Sequence, residues 1–222
     1  DALTNLFEVL IGHVFPDITV DRSQIVYRFS GVRPLPGHGD LAPGFVSRDY
    51  RVETEQLPGS ADTTVISLVG GKWTTYRKMA EDAVDRACVL AELPKVPCNT
   101  ATLRIHGYCD HADALGRLAF YGSDAAGVRA LMGDNMEWAQ AIHPDLATTG
   151  AEVVWACRHE MARTIDDVLA RRSRSLLYDA RAASEAAEKV GMLMAEELGR
   201  DSVWVADQVE SFRELAAGYM VV

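Results

Sequence analysis

The chain has 222 residues, 48% hydrophobic and 24% charged, a balance ordinary for a globular protein that can bury a core without staples. Its net charge of −10 disfavours the phosphates of nucleic acid and a broad basic face for membranes. No apolar run approaches the roughly 20 residues of a spanning helix, and the acidic start lacks the basic n-region of a signal peptide.

The charge is uneven: residues 1–100 hold 10 basic and 13 acidic residues, and residues 101–222 hold 12 and 19. Cys88, Cys98, Cys109 and Cys157 form no C-x-x-C pair and match no common zinc spacing, so they read as reduced cytosolic thiols. His106 and His111 have no third ligand nearby and read as non-ligands; no metal is expected.

In chain order, residues 4–15 are predicted as a helix, with Leu6, Leu10 and Val14 on one face and Pro16-Asp17 ending it. This pattern starts at once, without a methionine, as expected of a chain cut from something larger. Ser23 to Ser30 alternates Ile25, Tyr27 and Phe29 against Val26 and Arg28, which predicts a strand. Residues 31–44 hold three prolines and four glycines, an irregular and stiff loop. Arg33, directly before Pro34, is pushed toward extended backbone. A guanidinium presented from such a loop suits bidentate capture of an anion, although a loop arginine in a salt bridge is the commoner case. Arg48 has Asp49 beside it as a ready partner, and His38, between glycines, reads as an exposed loop residue.

A strand is expected over Tyr50 to Glu55, a polar turn over residues 54–62 and a second strand over residues 63–69, with Val65, Ile66, Leu68 and Val69 apolar. Gly70 and Gly71 then permit a tight turn, and a helix is predicted over residues 72–93, stopped by Pro94. A helix start leaving a sheet offers unpaired N–H groups and the positive end of a dipole, and Lys72 adds a full charge. This is not a nucleotide P-loop: Ile66 and Trp73 stand where that motif needs Gly and Ser or Thr. An ordinary strand-turn-helix corner explains the pattern equally well.

Lys95 to Asn99 reads as a linker and Leu103 to Gly107 as a short extended piece. From about residue 110 the chain is predicted helical throughout, over 111–120, 124–132, 135–142, 151–164, from Asp166 or Asp167 to Leu177, 180–198 and 203–217. Thr149 caps the fourth of these, with Glu152 in its first turn, and Asp179 caps the sixth, with Gly199 closing it. Ala183, Ala187, Val190 and Met194 form a narrow apolar seam on that sixth helix. The fold class is therefore α+β: residues 1–100 with few strands and helices, then an all-α domain over 101–222. In the charged stretch 157–174, His159-Glu160 is not a zinc-protease motif because position 163 is Arg. Glu160, Arg163, Asp166 and Asp167 are spaced to pair along one helix face.

Three blocks, FSGVRPLPG (29–37), SRDY (47–50) and GGKWTTYRKMAED (70–82), stand in an order and spacing that resembles FAD-dependent glycerol-3-phosphate dehydrogenases near their C-terminal end. RHEMARTIDDVLARRSR (158–174) looks like a helix of their C-terminal cap domain. The resemblance implies that residues 1–100 are the last, incomplete portion of an FAD/substrate domain. The dinucleotide motif G-x-G-x-x-G is absent, because Gly37-His38-Gly39 lacks the third glycine and opens no helix, so the N-terminal FAD-binding portion is expected outside this chain.

The implied reaction is oxidation of glycerol 3-phosphate to dihydroxyacetone phosphate, with electrons passed to quinone. By the same resemblance Gly70, Gly71, Lys72, Trp73 and Thr74 contact FAD. Lys72 and Arg33 are catalytic, and Arg33 and Arg48 hold the substrate. The implied location is cytoplasmic or peripheral on the cytoplasmic face of a membrane, with a homodimer as one assembly. The chain alone is expected to be inactive. Two alternatives stay open: an oxidase that uses oxygen, and a non-catalytic helical interaction module.

Overall fold

The computed structural model describes residues 9–32, 49–60 and 62–220, without the side chain of Arg22. The chain divides into two compact units, Asp1–Ser30 with Gly107–Val222, and Gly31–His106.

The smaller unit is built on an antiparallel hairpin. Strand β1, Arg51–Gln56, pairs with β2, Thr64–Val69, in the register Arg51↔Val69 through Gln56↔Thr64. The polar turn between them closes by the Leu57 N–H donating to the Thr63 carbonyl (2.9 Å), and the hydroxyls of Ser60 and Thr63 meet at 2.9 Å. After Gly71 a 3-10 turn, Trp73–Thr75, leads into helix α1, Tyr76–Leu90, which packs on both strands. The two strands and the helix lie where the sequence pattern puts them. None of the described side chains of this unit is fully buried.

The larger unit is helical. It comprises α2, Ala125–Asp134; α3, Gly150–His159; α4, Ser175–Tyr178; α5, Ala180–Leu198; and α6, Ser202–Ala217. Its main core gathers Ile165, Leu169, Leu176 and Phe212 around the α5 seam, and Ala183, Ala187, Val190 and Met194 are all buried there. Gly191 sits inside this packing: a Cβ would lie 3.1 Å from an Ile165 methyl and 3.2 Å from a Val205 methyl, tighter than ordinary contact, so those side chains would have to give way to a larger residue. A second cluster joins Leu118, Val128 and Leu131 to Ala151 and Val154 on α3.

The expected caps are present. The Asp179 carboxylate accepts from the N–H groups of Arg181 and Ala182, both at 3.0 Å, and Gly199 is left-handed at φ 62°. Thr149 and Glu152 open α3 as a capping box.

Several expected elements differ. Residues 9–14 are helical, and the rest of the predicted first helix before them lies outside the described residues. Ser23 to Ser30 is not a strand. Its backbone is satisfied by helix ends instead: Arg28 N–H donates to the Tyr219 carbonyl (2.7 Å), and the Val26 carbonyl accepts from Ala180 N–H (3.3 Å). Leu103 to Gly107 is irregular, and residues 111–120 fall within a 3-10 run, Ala112–Asp124, broken at Gly116 and Gly122. Residues 135–142 are turns, because Ala141 forms an isolated bridge with Thr149 and the Ile142 N–H donates to the Thr148 carbonyl (2.9 Å). The helix expected to 164 stops at His159, and Met161 is left-handed at φ 56°. The next predicted helix is present in two pieces, a π-helical turn, Asp167–Arg172, and α4, separated where Arg174 is left-handed at φ 57°.

Candidate functional site

The corner between β2 and α1 is shaped by its two glycines. Gly70 and Gly71 have φ of 81° and 95°, outside the usual range for other residues. A Cβ at Gly70 would stand 2.6 Å from the Asp49 carbonyl oxygen, and one at Gly71 would stand 2.5 Å from the Met79 sulfur. The glycines thus let β2 turn directly under the start of α1 while Tyr50 and Met79 close in.

Lys72 is extended (φ −139°, ψ 159°), and Thr75 locks it in place. The Thr75 hydroxyl accepts from the Lys72 N–H (3.2 Å) and donates to the Lys72 carbonyl (3.0 Å), which also accepts from the Thr75 N–H (3.0 Å). Thr75 does this rather than Thr74, which is exposed. Trp73 is 89% exposed, and Tyr76 beside it is 67% exposed. The first amides of the 3-10 turn have no acceptor within the turn itself, as at any helix start.

Further along α1 the charges neutralise one another. Arg77 reaches Glu81 at 2.6 Å and the Thr100 hydroxyl at 3.2 Å. Lys78 bridges Glu81 (3.1 Å) and Asp82 (2.8 Å), and Asp82 also accepts from the Tyr50 hydroxyl at 2.5 Å. Hydrogen bonds from Arg77 and then Lys78 hold the Glu81 carboxyl below its usual range. Lys78 and then Tyr50 do the same for Asp82, whose acceptance in turn raises the Tyr50 hydroxyl. Among the described residues, the Lys72 ammonium has no carboxylate partner. Among the described residues of this corner it is therefore the cation left to meet an external negative charge, beside amides that favour the same sign.

The described structure thus brings Gly70, Gly71, Lys72, Trp73 and Thr74 together at one solvent-open corner. Arg33 and Arg48, and His38 with them, lie outside the described residues. The tie from Tyr50 to Asp82 was not anticipated. The i,i+4 spacings Arg77–Glu81 and Lys78–Asp82 carried a signal for the pairs on the helix, but nothing local points to Tyr50, 32 residues from its acceptor.

In the helical unit, the charged stretch after α3 is organised around Asp167. Its carboxylate accepts from the N–H groups of Arg163 (2.9 Å) and Thr164 (3.1 Å) and pairs with Arg171 (3.3 Å) and Arg172 (3.2 Å). Asp166 also pairs with Arg171. Glu160 does not join these pairs through its carboxylate. Its backbone carbonyl accepts from Arg172 (2.6 Å), and burial pushes its carboxyl above the usual range. These contacts fasten the π-helical turn internally.

Residues 61–204 match the family described as the C-terminal domain of alpha-glycerophosphate oxidase. The chain belongs to this family. It is also homologous to proteins named glycerol-3-phosphate dehydrogenase. The Synechocystis sp. protein is 30% identical, over 73% of this chain and 32% of its own length. The Mycobacterium bovis glycerol-3-phosphate dehydrogenase 1 is 32% identical, over 70% of this chain and 31% of its own. The mitochondrial glycerol-3-phosphate dehydrogenase of Rattus norvegicus is 29% identical, over 95% of this chain and 31% of its own. The chain spans about a third of the length of the curated relatives it matches. No helix among the described residues is long and apolar enough to cross a membrane.

Proposed function

We propose that this chain supplies the substrate- and flavin-facing corner of an FAD-dependent glycerol-3-phosphate dehydrogenase. The observation that carries the reading is the Lys72 ammonium on a helix start, with no carboxylate partner among the described residues, in a chain whose relatives bear that name. The donor set suits a flavin edge: amide N–H groups, the Lys72 ammonium and an exposed indole at Trp73. Bound there, FAD would supply the hydride acceptor for C2 of glycerol 3-phosphate, and oxidation to dihydroxyacetone phosphate would also release the C2 hydroxyl proton, to a base that is not evident in this sequence.

In this reading Gly70 and Gly71 let the backbone approach the cofactor, and Trp73 and Thr74 line its edge. Lys72 and the neighbouring amides stabilise the negative charge that the transfer creates. Arg33 and Arg48 grip the phosphate and glycerol oxygens, in the bidentate geometry that guanidinium favours. Residues 1–100 complete the FAD/substrate domain and 101–222 form the helical C-terminal domain, with residues 9–30 reaching onto the helical unit. The FAD-binding glycines come from another part of the protein, which is cytoplasmic or associates peripherally with the cytoplasmic side of a membrane and passes electrons to quinone.

In the intact enzyme, Lys72→Ala and Arg33→Ala are each expected to lower turnover of glycerol 3-phosphate by about tenfold or more. Wild-type turnover in both variants would remove the site assignment. The family description keeps one alternative in play, an oxidase that delivers electrons to oxygen. Stoichiometric hydrogen peroxide, in place of quinone reduction, would select it.

A further inference from the structure

Helices α5 and α6 enclose a groove of about 690 Å³ on the face of the helical unit. Its apolar lining is Met192, 55% exposed, with exposed Ala206 and half-buried Val205, above Val209, which is buried in the core. Ser202 and Ala206, four apart, are small enough to let a neighbouring backbone approach closely. The lining runs from Ser202 to Glu214, about 18 Å at the rise of an α-helix. That length holds about three turns of a partner helix, read through i, i+3, i+4 and i+7 anchors.

The rim decides which partner. Glu188, Glu210 and Glu214 border the groove, with Arg213 as the one opposing charge. A second copy laid across it would set three carboxylates against three, with one guanidinium on each side, so self-association is disfavoured. An anionic lipid surface is repelled for the same reason.

We propose that this groove docks an amphipathic helical segment of another polypeptide, with lysine or arginine flanking its apolar stripe. The partner's apolar side chains cover Met192, Ala206 and Val205, and its cations face Glu210 and Glu214.

The test uses the 222-residue chain and a fluorescein-labelled 14-residue Leu/Lys amphipathic helix as the probe, read by anisotropy. Two variants are compared, Ala206→Arg, which fills the exposed floor, and Glu210→Lys with Glu214→Lys, which reverses the rim. Far-UV circular dichroism checks that both remain folded. The expected result is saturable binding to the wild type, at least tenfold weaker in each variant, and no binding of a Leu/Glu counterpart. Equal affinity for Ala206→Arg and wild type would overturn the proposal, since attraction to net charge alone would then explain the binding. So would equal binding of the Leu/Glu probe. A concentration-dependent dimer in sedimentation that Ala206→Arg dissolves would assign the groove to a second copy and also end it.

Discussion

Glu152 offers the sharpest test of how the helical unit is held. Its side chain is 5% exposed, and one oxygen accepts from the Thr149 N–H (2.8 Å), the Thr149 hydroxyl (2.8 Å) and an Arg117 Nη2 (2.7 Å). The Tyr121 hydroxyl approaches the other oxygen at 3.5 Å; burial, and next this carboxylate, keep that phenol protonated well above its usual range. Arg117 also donates to the Ala147 carbonyl, so the carboxylate joins the 3-10 run of residues 112–124 to the start of α3. Glu152→Ala leaves the Thr149 N–H, the reciprocal half of the capping box, and the Thr149 hydroxyl without their charged acceptor, about 1.5–3 kcal/mol. The Arg117 pair adds little because that guanidinium is 45% exposed. A loss of about 1.5–3 kcal/mol corresponds to a fall in Tm of about 3–12 °C. Arg117→Ala should cost about 1 kcal/mol or less by the same reasoning. Urea unfolding followed by far-UV circular dichroism weights the helical unit and separates the two. A Glu152→Ala variant within about 0.5 kcal/mol of wild type, or no more affected than Arg117→Ala, would refute the argument.

Other expectations follow from single observations. Gly70→Ala and Gly71→Ala both force a left-handed backbone, at about 1–2 kcal/mol each. Only Gly71→Ala should recover in part when Met79→Ala is added, because its Cβ meets a flexible thioether whereas Gly70 meets the Asp49 carbonyl; hydrogen exchange at Val52 and Leu68 reads the difference. Burial pushes the Cys157 thiol up to about 11, so iodoacetamide at pH 8 should alkylate exposed Cys98 and spare Cys157 until urea unfolds the chain. The unfolded thiol ionises near pH 9 while the folded one does not, so this group lowers stability as pH rises from about 9 to 11.

The parts of the fold legible in the sequence are those fixed by local chemistry. Asp179 and Gly199 mark the ends of α5 because a side-chain acceptor and a left-handed glycine each act within a turn. The α5 seam is legible because four small or apolar residues recur at helical spacing. Ser23 to Ser30 misleads for the opposite reason. Alternation shows that one side of a segment is buried, and Tyr27 does pack on the core, but it cannot show whether another strand is there to receive the hydrogen bonds. Residues 135–142 have a helical pattern, yet the bridge from Ala141 to Thr149 takes the backbone instead. At the candidate site the glycine turn and Lys72 were readable from spacing. The pairs of Arg77 with Glu81 and of Lys78 with Asp82 lie at i,i+4 spacing and carry a sequence signal, but the Tyr50 hydroxyl that joins Asp82 from 32 residues away has none.

The two units differ in what holds them, and that difference bears on the site. The helical unit buries Ile165, Leu169, Met194 and Phe212 almost completely. The unit carrying Lys72 buries nothing to that degree among its described residues, and Val84, Val89 and Leu68 are 60%, 67% and 46% exposed. A two-stranded hairpin is marginal in water without further strands or a covering surface. The corner geometry of Gly70 to Thr75 therefore relies on turn chemistry and the α1 ion pairs, which are solvent-screened. Hydrogen exchange of the 222-residue chain should show amides of β1, β2 and α1 exchanging within minutes while α5 and α6 stay protected for hours. In a longer protein that covers Val84 and Leu68, the same β1 and β2 amides should be protected, because that cover would also fix the corner on which Lys72 stands. Equal protection of both units in the isolated chain would mean that the hairpin unit stands unaided, and that its exposed apolar residues need no cover to hold Lys72 in position.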